Sequence, residues 1–277
     1  AKPYPCLFCP VGCHRYVKIK EPQKYAYEGI GPEYETIAMC GSNCGHKDLA
    51  SIIKLNYLCN EYGLDTISTG NVVGFFMECV EKGLVNYDIK FGDISAHTDL
   101  IEKIAKREGI GDILAEGVAA ASKIFGGKTK SFALHVKGLE IPGYDPRGST
   151  SMGLAYGTSD RGACHLRAFS ISKEAFLNVN AGVEIVNPFS IKGKAKLVKD
   201  LQDINAALWC LIACDNLGFS TGLVAKMFNA IGIKMTEEEF IRVGERICNL
   251  VQLFNHREGF SRKDDYLPLR FYKIRKD

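Results

Sequence analysis

The amino-acid sequence predicts an all-α, multihelical fold in two helical lobes. Apolar residues recur at the helical period over residues 46–125 and again over residues 190–256, whereas alternating, strand-like runs are few. Between the two helical stretches lies a strip, residues 138–151, whose prolines and glycines make it irregular: Pro142, Gly143, Pro146 and Gly148. We therefore expect two domains, residues 1–143 and residues 144–277.

The composition excludes several classes of protein. A chain of 277 residues with 46% hydrophobic and 24% charged residues can bury a substantial core. Its formal net charge of only +3 argues against a nucleic-acid-binding surface. No stretch approaches the roughly 20 apolar residues that span a bilayer, and the first residues show no signal peptide. The expectation is a cytoplasmic protein with neither nucleic acid nor a membrane as a partner.

Two helices have recognisable ends. Thr236 and Glu239 have the spacing of a capping box, and Gly259 marks the end of the helix that follows. We expect five residues to form the apolar face of this helix: Ile241, Ile247, Cys248, Val251 and Phe254. Residues 112–121 predict a second helix, ended by Gly126 and Gly127.

Two segments, residues 59–65 and 214–220, follow one template. Each has a cysteine, a short polar residue, two variable residues, a glycine, an apolar residue and a residue of the N-cap type. Capping rules alone explain such a pattern, because a left-handed glycine ends one helix and the last residue begins the next. Its recurrence also suggests two related corners that hold a pseudo-symmetric ligand from opposite sides.

The strongest local motif is a cluster of cysteines near the start of the sequence. Cys6, Cys9 and Cys13 lie in a loop with Pro10 and Gly12, and thiolates at this spacing can bind one iron–sulfur cluster. The odd total of eleven cysteines in a long chain does not favour a disulfide framework. Two alternatives stay open here: no metal, or a zinc site with a fourth ligand from Cys40, Cys44 or His46.

Six runs of residues, which cover almost the whole chain in order, closely resemble the aldehyde ferredoxin oxidoreductase family. They are GPEYET (31–36), GSN (41–43), LCNEYGLDTISTG (58–70), GYDPRG (143–148), GLAYGTSDRGACHL (153–166) and FNHREGFSRKDD (254–265). The resemblance implies an enzyme that oxidises small aldehydes to carboxylic acids and passes electrons to ferredoxin. It also implies a tungsten or molybdenum bis-pterin centre beside a [4Fe-4S] cluster.

The same resemblance assigns roles to individual residues. The cluster ligands of the family fall on Cys6, Cys9, Cys13 and Ser220. Its two pterin motifs fall on the two corners, with contacts at Asn60, Gly63, Leu64, Asp65, Asp215, Gly218 and Phe219. The residues that line its metal pocket match Glu35, Tyr144 and His165. Glu35 is then a base that activates water, while Tyr144 and His165 donate to the substrate oxygen.

The sequence departs from the family pattern in three places. Ser220 stands where the family has its fourth cluster cysteine, and a serine oxygen is a poorer iron ligand than a thiolate. Asn60 replaces an aspartate and loses its charge. The family also has a β-rich N-terminal domain that forms the base of the pterin site. We therefore expect an incomplete enzyme, inactive by itself, whose missing pterin-binding domain is a further partner.

Two other functions compete with this interpretation. One is a helical interaction module with a structural zinc ion, and the other is a relative that has lost its activity. Without the resemblance, Glu35 is a solvated charge, Tyr144 a loop anchor and His165 a core histidine. Metal analysis of the protein separates the enzyme from the interaction module. Bound iron together with sulfide indicates the enzyme, and stoichiometric zinc indicates the module.

Overall fold

The computed structural model describes residues 1–174 and 187–272. It confirms the all-α fold class, because eleven helices and two small sheets make up the regular structure of these residues. The helices are α1 Tyr34–Thr36, α2 Leu49–Tyr62, α3 Thr66–Glu81, α4 Ile94–Lys106, α5 Ile110–Ala115, α6 Gly117–Phe125, α7 Thr150–Thr158, α8 Ile171–Glu174, α9 Lys194–Trp209, α10 Thr221–Ala230 and α11 Glu237–Arg257. Among the described residues, no helix is long and apolar enough to cross a membrane.

Both sheets are antiparallel. The first has the order β1 (Lys2–Tyr4), β2 (His14–Ile19) and β3 (Tyr27–Ile30), with Tyr16 opposite Lys2 on one side and Ile30 on the other. The second is a short hairpin of β4 (His135–Val136) and β5 (Leu139–Glu140). The loop between β1 and β2 carries the cysteine motif.

The chain divides into two compact units. The first contains Ala1–Gly143 and the segment that begins at Pro268, and the second contains Tyr144–Leu267. The sequence-based boundary placed the final segment with the second domain instead. That segment joins the first unit because the Arg270 guanidinium forms a bidentate ion pair with the Glu78 carboxylate of α3, and one of its two bonds measures 2.9 Å.

The core of the first unit is built around α3. Val73, Phe76 and Met77 of this helix are fully buried. A helix that is apolar on every side needs neighbours all round it. Gly70 allows one of these neighbours to come close, since a β-carbon there would lie 2.6 Å from the carbonyl oxygen of Met39 and 2.7 Å from the nitrogen of Cys40.

Both corners have the capping geometry that the sequence predicted. Gly63 is left-handed at the end of α2, and Asp65 caps α3 by accepting from Ser68 N at 2.7 Å. Gly218 is also left-handed, and Ser220 caps α10 by accepting from Leu223 N at 3.2 Å.

The helix expected over residues 112–121 is interrupted. It breaks at Gly117, whose φ of 82° is left-handed, so α5 and α6 are separate helices. The buried Glu140 carboxylate of β5 caps the new helix by accepting from Val118 N at 2.8 Å. A partner 22 residues away therefore decides the break, which local periodicity does not reveal. The predicted end at Gly126 is confirmed.

In the second unit, α9 packs against α11. The capping box of Thr236 and Glu239 is present, as predicted. The predicted apolar face of α11 is only partly right: its buried residues are Phe240 and Gly244, and Phe254 is exposed. Gly244 lies against the backbone of α9, where a β-carbon would be 2.8 Å from the Asp203 carbonyl carbon and 3.0 Å from Ala207 N, so the close approach of the two helices requires a glycine.

Candidate active site

Glu35 lies in a tightly held turn of the first unit. It occupies α1, which continues into a π-helical turn, Ile37–Gly41. The Thr36 and Thr66 hydroxyls lie 2.8 Å apart and join this turn to the start of α3. Such turns occur frequently at functional sites.

The Glu35 carboxyl group is buried, with only 9% of the residue exposed. Oε2 accepts from the backbone N–H of Gly143 at 2.7 Å, while the buried Oε1 has no hydrogen-bond partner among the described residues. Burial raises the pKa of Glu35 to about 7, the Gly143 N–H opposes this rise, and the Asp65 carboxylate adds to it. A carboxyl group with this pKa can take up and release a proton near neutral pH.

Tyr144 and His165 come together in the second unit. Their ring centroids are 5.8 Å apart, and Phe169 packs edge-on against both, at 5.5 Å from Tyr144 and 6.1 Å from His165. The Tyr156 hydroxyl donates to the Tyr144 carbonyl oxygen at 3.0 Å and holds the backbone of this loop. A phenol and an imidazole are therefore positioned as a pair of hydrogen-bonding groups.

The two corners present their polar residues to solvent. Asn60 and Asp65 are exposed at the first corner, and Leu64 is half-buried. Asp215 is exposed at the second corner, where it accepts from the indole N–H of Trp209, and Phe219 is half-buried. Both corners thus leave polar side chains accessible to a ligand.

The cysteine motif lies in the loop between β1 and β2. Cys6 is exposed, Cys9 and Cys13 are half-buried, and Cys9 N donates to Cys6 O at 2.9 Å in a tight turn. Within residues 1–174 and 187–272, no group of three or more histidine, cysteine, aspartate or glutamate side chains is arranged to hold a metal ion.

The donors considered for a zinc site have other partners. The Cys40 thiol donates to Thr66 O at 3.3 Å, and the buried Cys44 thiol has Met39 O at 3.4 Å and Gly70 O at 3.3 Å. His46 Nε2 shares a hydrogen bond of 2.9 Å with His97 Nδ1. All three side chains are thus held in the helical core of the first unit.

The family model of aldehyde ferredoxin oxidoreductase domains 2 and 3 matches residues 1–277. The chain belongs to this family. The match spans the runs that carried the resemblance in the sequence, and both units lie within it.

Several relatives are tungsten-containing aldehyde ferredoxin oxidoreductases. The enzyme of Pyrococcus furiosus is 39% identical over 282 residues, and that of Thermococcus kodakarensis is 40% identical over 281 residues. Each alignment covers 96% of this chain but only 44% of the relative. A more distant relative, 29% identical, is the WOR-like subunit of an aliphatic sulfonate oxidoreductase of Pyrococcus furiosus.

One solved structure shares the fold. It is the active-site complex BamBC of benzoyl-coenzyme A reductase in complex with 1,5-dienoyl-CoA, with a TM-score of 0.79 over 99% of this chain and 47% of that chain. At 21% sequence identity, the similarity concerns the fold alone.

The glycines of the two corners leave room for a ligand. Gly63 and Gly218 have open space where a β-carbon would project, so a flat ligand can approach the backbone at each corner. The loop of Cys6, Cys9 and Cys13 carries three sulfur donors of the chemical type that iron–sulfur clusters require, although the three side chains are not arranged around one centre. Ser220 offers an oxygen, which already accepts from Leu223 N.

Sequence reasoning did not find two of the contacting residues. Gly143 bonds to Glu35 across 108 positions, and Phe169 packs against Tyr144 and His165 from an irregular segment. Asp65 was predicted as a pterin contact, and its influence on the pKa of Glu35 was not. A glycine in the run GYDPRG was the one available signal, since a glycine there permits close approach of the backbone.

Proposed function

We propose that this chain supplies catalytic and cofactor-binding residues to an aldehyde:ferredoxin oxidoreductase that converts small aldehydes to carboxylic acids. Membership of the family and the names of the relatives support the reaction class. The observation that carries the proposal is the buried Glu35, with a pKa raised to about 7 and one oxygen without a partner.

The reaction requires a base. An aldehyde and one water molecule give a carboxylic acid, two electrons and two protons. Glu35 removes a proton from water, because its carboxylate is present in a substantial fraction at neutral pH. Its Oε1 atom is the available acceptor, since Oε2 is bonded to Gly143 N.

Tyr144 and His165 bind the aldehyde oxygen in this proposal. Hydrogen bonds from a phenol and an imidazole draw charge away from the carbonyl carbon and favour attack by water. Their mutual packing, together with Phe169, limits their motion and holds the two donors in position.

The cofactor assignments follow the family. Asn60, Gly63, Leu64 and Asp65 would hold one pterin, and Asp215, Gly218 and Phe219 the other. Cys6, Cys9, Cys13 and Ser220 would hold the [4Fe-4S] cluster. When bound, a tungsten or molybdenum bis-pterin centre would supply the two-electron acceptor of the reaction, and the cluster would supply a route for single electrons to ferredoxin.

The test is Glu35→Gln in the enzyme that carries this chain, assayed by aldehyde-dependent reduction of ferredoxin. We expect wild-type kcat/KM to rise with pH through about 7 as Glu35 loses its proton, and the variant to lose at least a hundredfold in kcat. Glu33→Gln is the matched control, because Glu33 lies two residues away with an exposed carboxylate. Equal activity of wild type and Glu35→Gln contradicts the proposed function.

A further inference from the structure

The backbone of Gly143 is held from both sides by consecutive residues of α1. Its N–H donates to Glu35 Oε2 at 2.7 Å, and its carbonyl oxygen accepts from the Tyr34 hydroxyl at 3.4 Å. One peptide segment is therefore bound by two neighbouring side chains more than 100 positions away in sequence.

This contact requires a glycine at position 143. A β-carbon there would lie 2.7 Å from the Ala38 methyl carbon and 3.3 Å from Glu35 Oε2. Its φ is not in the left-handed region, so backbone strain does not explain the residue. The glycine is needed for the close approach of its N–H to the carboxylate.

The two oxygens of Glu35 are consequently not equivalent. A carboxylate oxygen that accepts from a backbone N–H is fixed in position and is a weaker base than a free one. The partner of Oε2 is fixed by the fold, whereas Oε1 is buried with no partner among the described residues.

We propose that Gly143 is a positioning residue: its N–H binds Oε2 of Glu35 and directs Oε1 towards the proton that the reaction removes. This inference rests on the proposed function for the role of Oε1, and on the geometry alone for the link between Gly143 and Glu35. Gly143 also directly precedes Tyr144, so one backbone segment carries both the anchor of the base and a substrate-binding phenol.

A purely structural role for Gly143 would leave the titration of Glu35 unchanged once the protein folds. The proposal predicts instead that the contact of Gly143 with Glu35 and the titration of Glu35 are coupled. A β-carbon at position 143 forces the N–H away from Oε2, so the ionised carboxylate loses a donor and the apparent pKa of Glu35 must rise above the wild-type value of about 7.

The first measurement needs no change at Gly143. The full chain is labelled with ¹⁵N-glycine, and the amide resonances are followed from pH 5 to pH 9. We expect the Gly143 amide to titrate with a midpoint near 7 in the wild type and to lose that step in Glu35→Gln. A Gly143 amide that does not respond to pH in the wild type overturns the inference.

The second measurement uses Gly143→Ala in a chain labelled with ¹³C at the glutamate carboxyl carbons. Glu35→Gln assigns the resonance of Glu35. We expect the midpoint to rise by about one pH unit, an approximately tenfold change in the ratio of carboxylate to acid. An unchanged midpoint in a folded variant contradicts the inference.

Two controls separate positioning from general damage. Gly148→Ala changes a glycine of the same run, where a β-carbon meets only ordinary contact 3.5 Å from Asp145 O, and should leave the Glu35 titration unchanged. The double variant Ala38→Gly, Gly143→Ala removes the closest clash and should return the midpoint towards the wild type.

The outcomes also distinguish this inference from the proposed function. A shifted titration with an active Glu35→Gln enzyme supports the link to Gly143 and rejects Glu35 as the base. An inactive Glu35→Gln enzyme with an unchanged titration in Gly143→Ala supports the base and rejects the role of Gly143.

Discussion

At the scale of single residues, two buried histidines make the first unit sensitive to acid. His97 is completely buried and bonds to His46, whose residue is 6% exposed. Burial lowers the pKa of His97 to about 3 and also lowers that of His46. Both rings therefore stay neutral in the folded unit at pH values where an unfolded chain protonates them.

We predict that the first unit loses stability as the pH falls below about 6.5. The unfolded state binds the proton first, so His97 contributes a loss of about 1.4 kcal/mol per pH unit until its folded pKa of about 3, and His46 adds a loss in the same direction. Hydrogen–deuterium exchange of α4 amides at pH 7.5, 6.5 and 5.5 measures the effect. His97→Gln should be less stable at pH 7.5 and should show a shallower slope, and an unchanged slope contradicts the prediction.

Ser220 allows a sharp test of the cluster hypothesis. Its hydroxyl caps α10 by accepting from Leu223 N, so both Ser220→Ala and Ser220→Cys should lose about 1 kcal/mol of stability. A thiolate binds iron better than a serine oxygen. We predict that only Ser220→Cys retains more iron and acid-labile sulfide than the wild type after anaerobic reconstitution. Equal iron in all three proteins means that residue 220 is a helix cap and not a ligand position.

At the scale of elements, close packing against neighbouring backbone decides which substitutions α3 tolerates. Gly70→Ala would bring a methyl group within 2.7 Å of backbone atoms of the π-helical turn that follows Glu35. We predict a loss of stability of about 3 kcal/mol or more, because backbone cannot move aside as a side chain can. Thermal unfolding and hydrogen exchange of α3 amides measure this loss of stability.

Gly222→Ala is the matched helical control. Its β-carbon meets only the end of the flexible Glu237 side chain at 3.2 Å, and alanine is favoured over glycine in a helix. This variant should be neutral or slightly stabilised. A loss in Gly222→Ala as large as that in Gly70→Ala would show that the backbone contact is not the cause.

At the scale of the whole molecule, the first unit is closed by residues from the far end of the sequence. Arg270 binds both oxygens of Glu78, whose side chain is 16% exposed, and its guanidinium lies 5.7 Å from the ring centroid of Phe132. We predict that Arg270→Ala destabilises the first unit by about 1–3 kcal/mol, since Glu78 is left without its bidentate partner. Arg257→Ala, which removes an exposed pair with Glu258, should change stability by less than about 0.5 kcal/mol. Exchange of α3 amides reports Arg270→Ala, and exchange of α11 amides reports Arg257→Ala.

The sequence by itself determined the helical class, the helix caps and the family. The capping box of Thr236 and Glu239 and the corners at Gly63 and Gly218 are set by residues within a few positions of each other. Local hydrogen bonds of this kind depend on side-chain type and spacing alone. The six runs were enough for the resemblance that the family match confirms.

Only the tertiary structure decided the environment of the candidate base. Whether Glu35 is solvated or buried depends on Gly143, 108 positions away, and the break at Gly117 depends on Glu140, 23 positions away. Burial and long-range contacts follow from the path of the whole chain, which local periodicity does not encode. By residue type alone this carboxyl group is an ordinary surface charge. Its pKa rises to about 7 because the fold removes it from water, and the hydrogen bond from Gly143 N offsets only part of that rise.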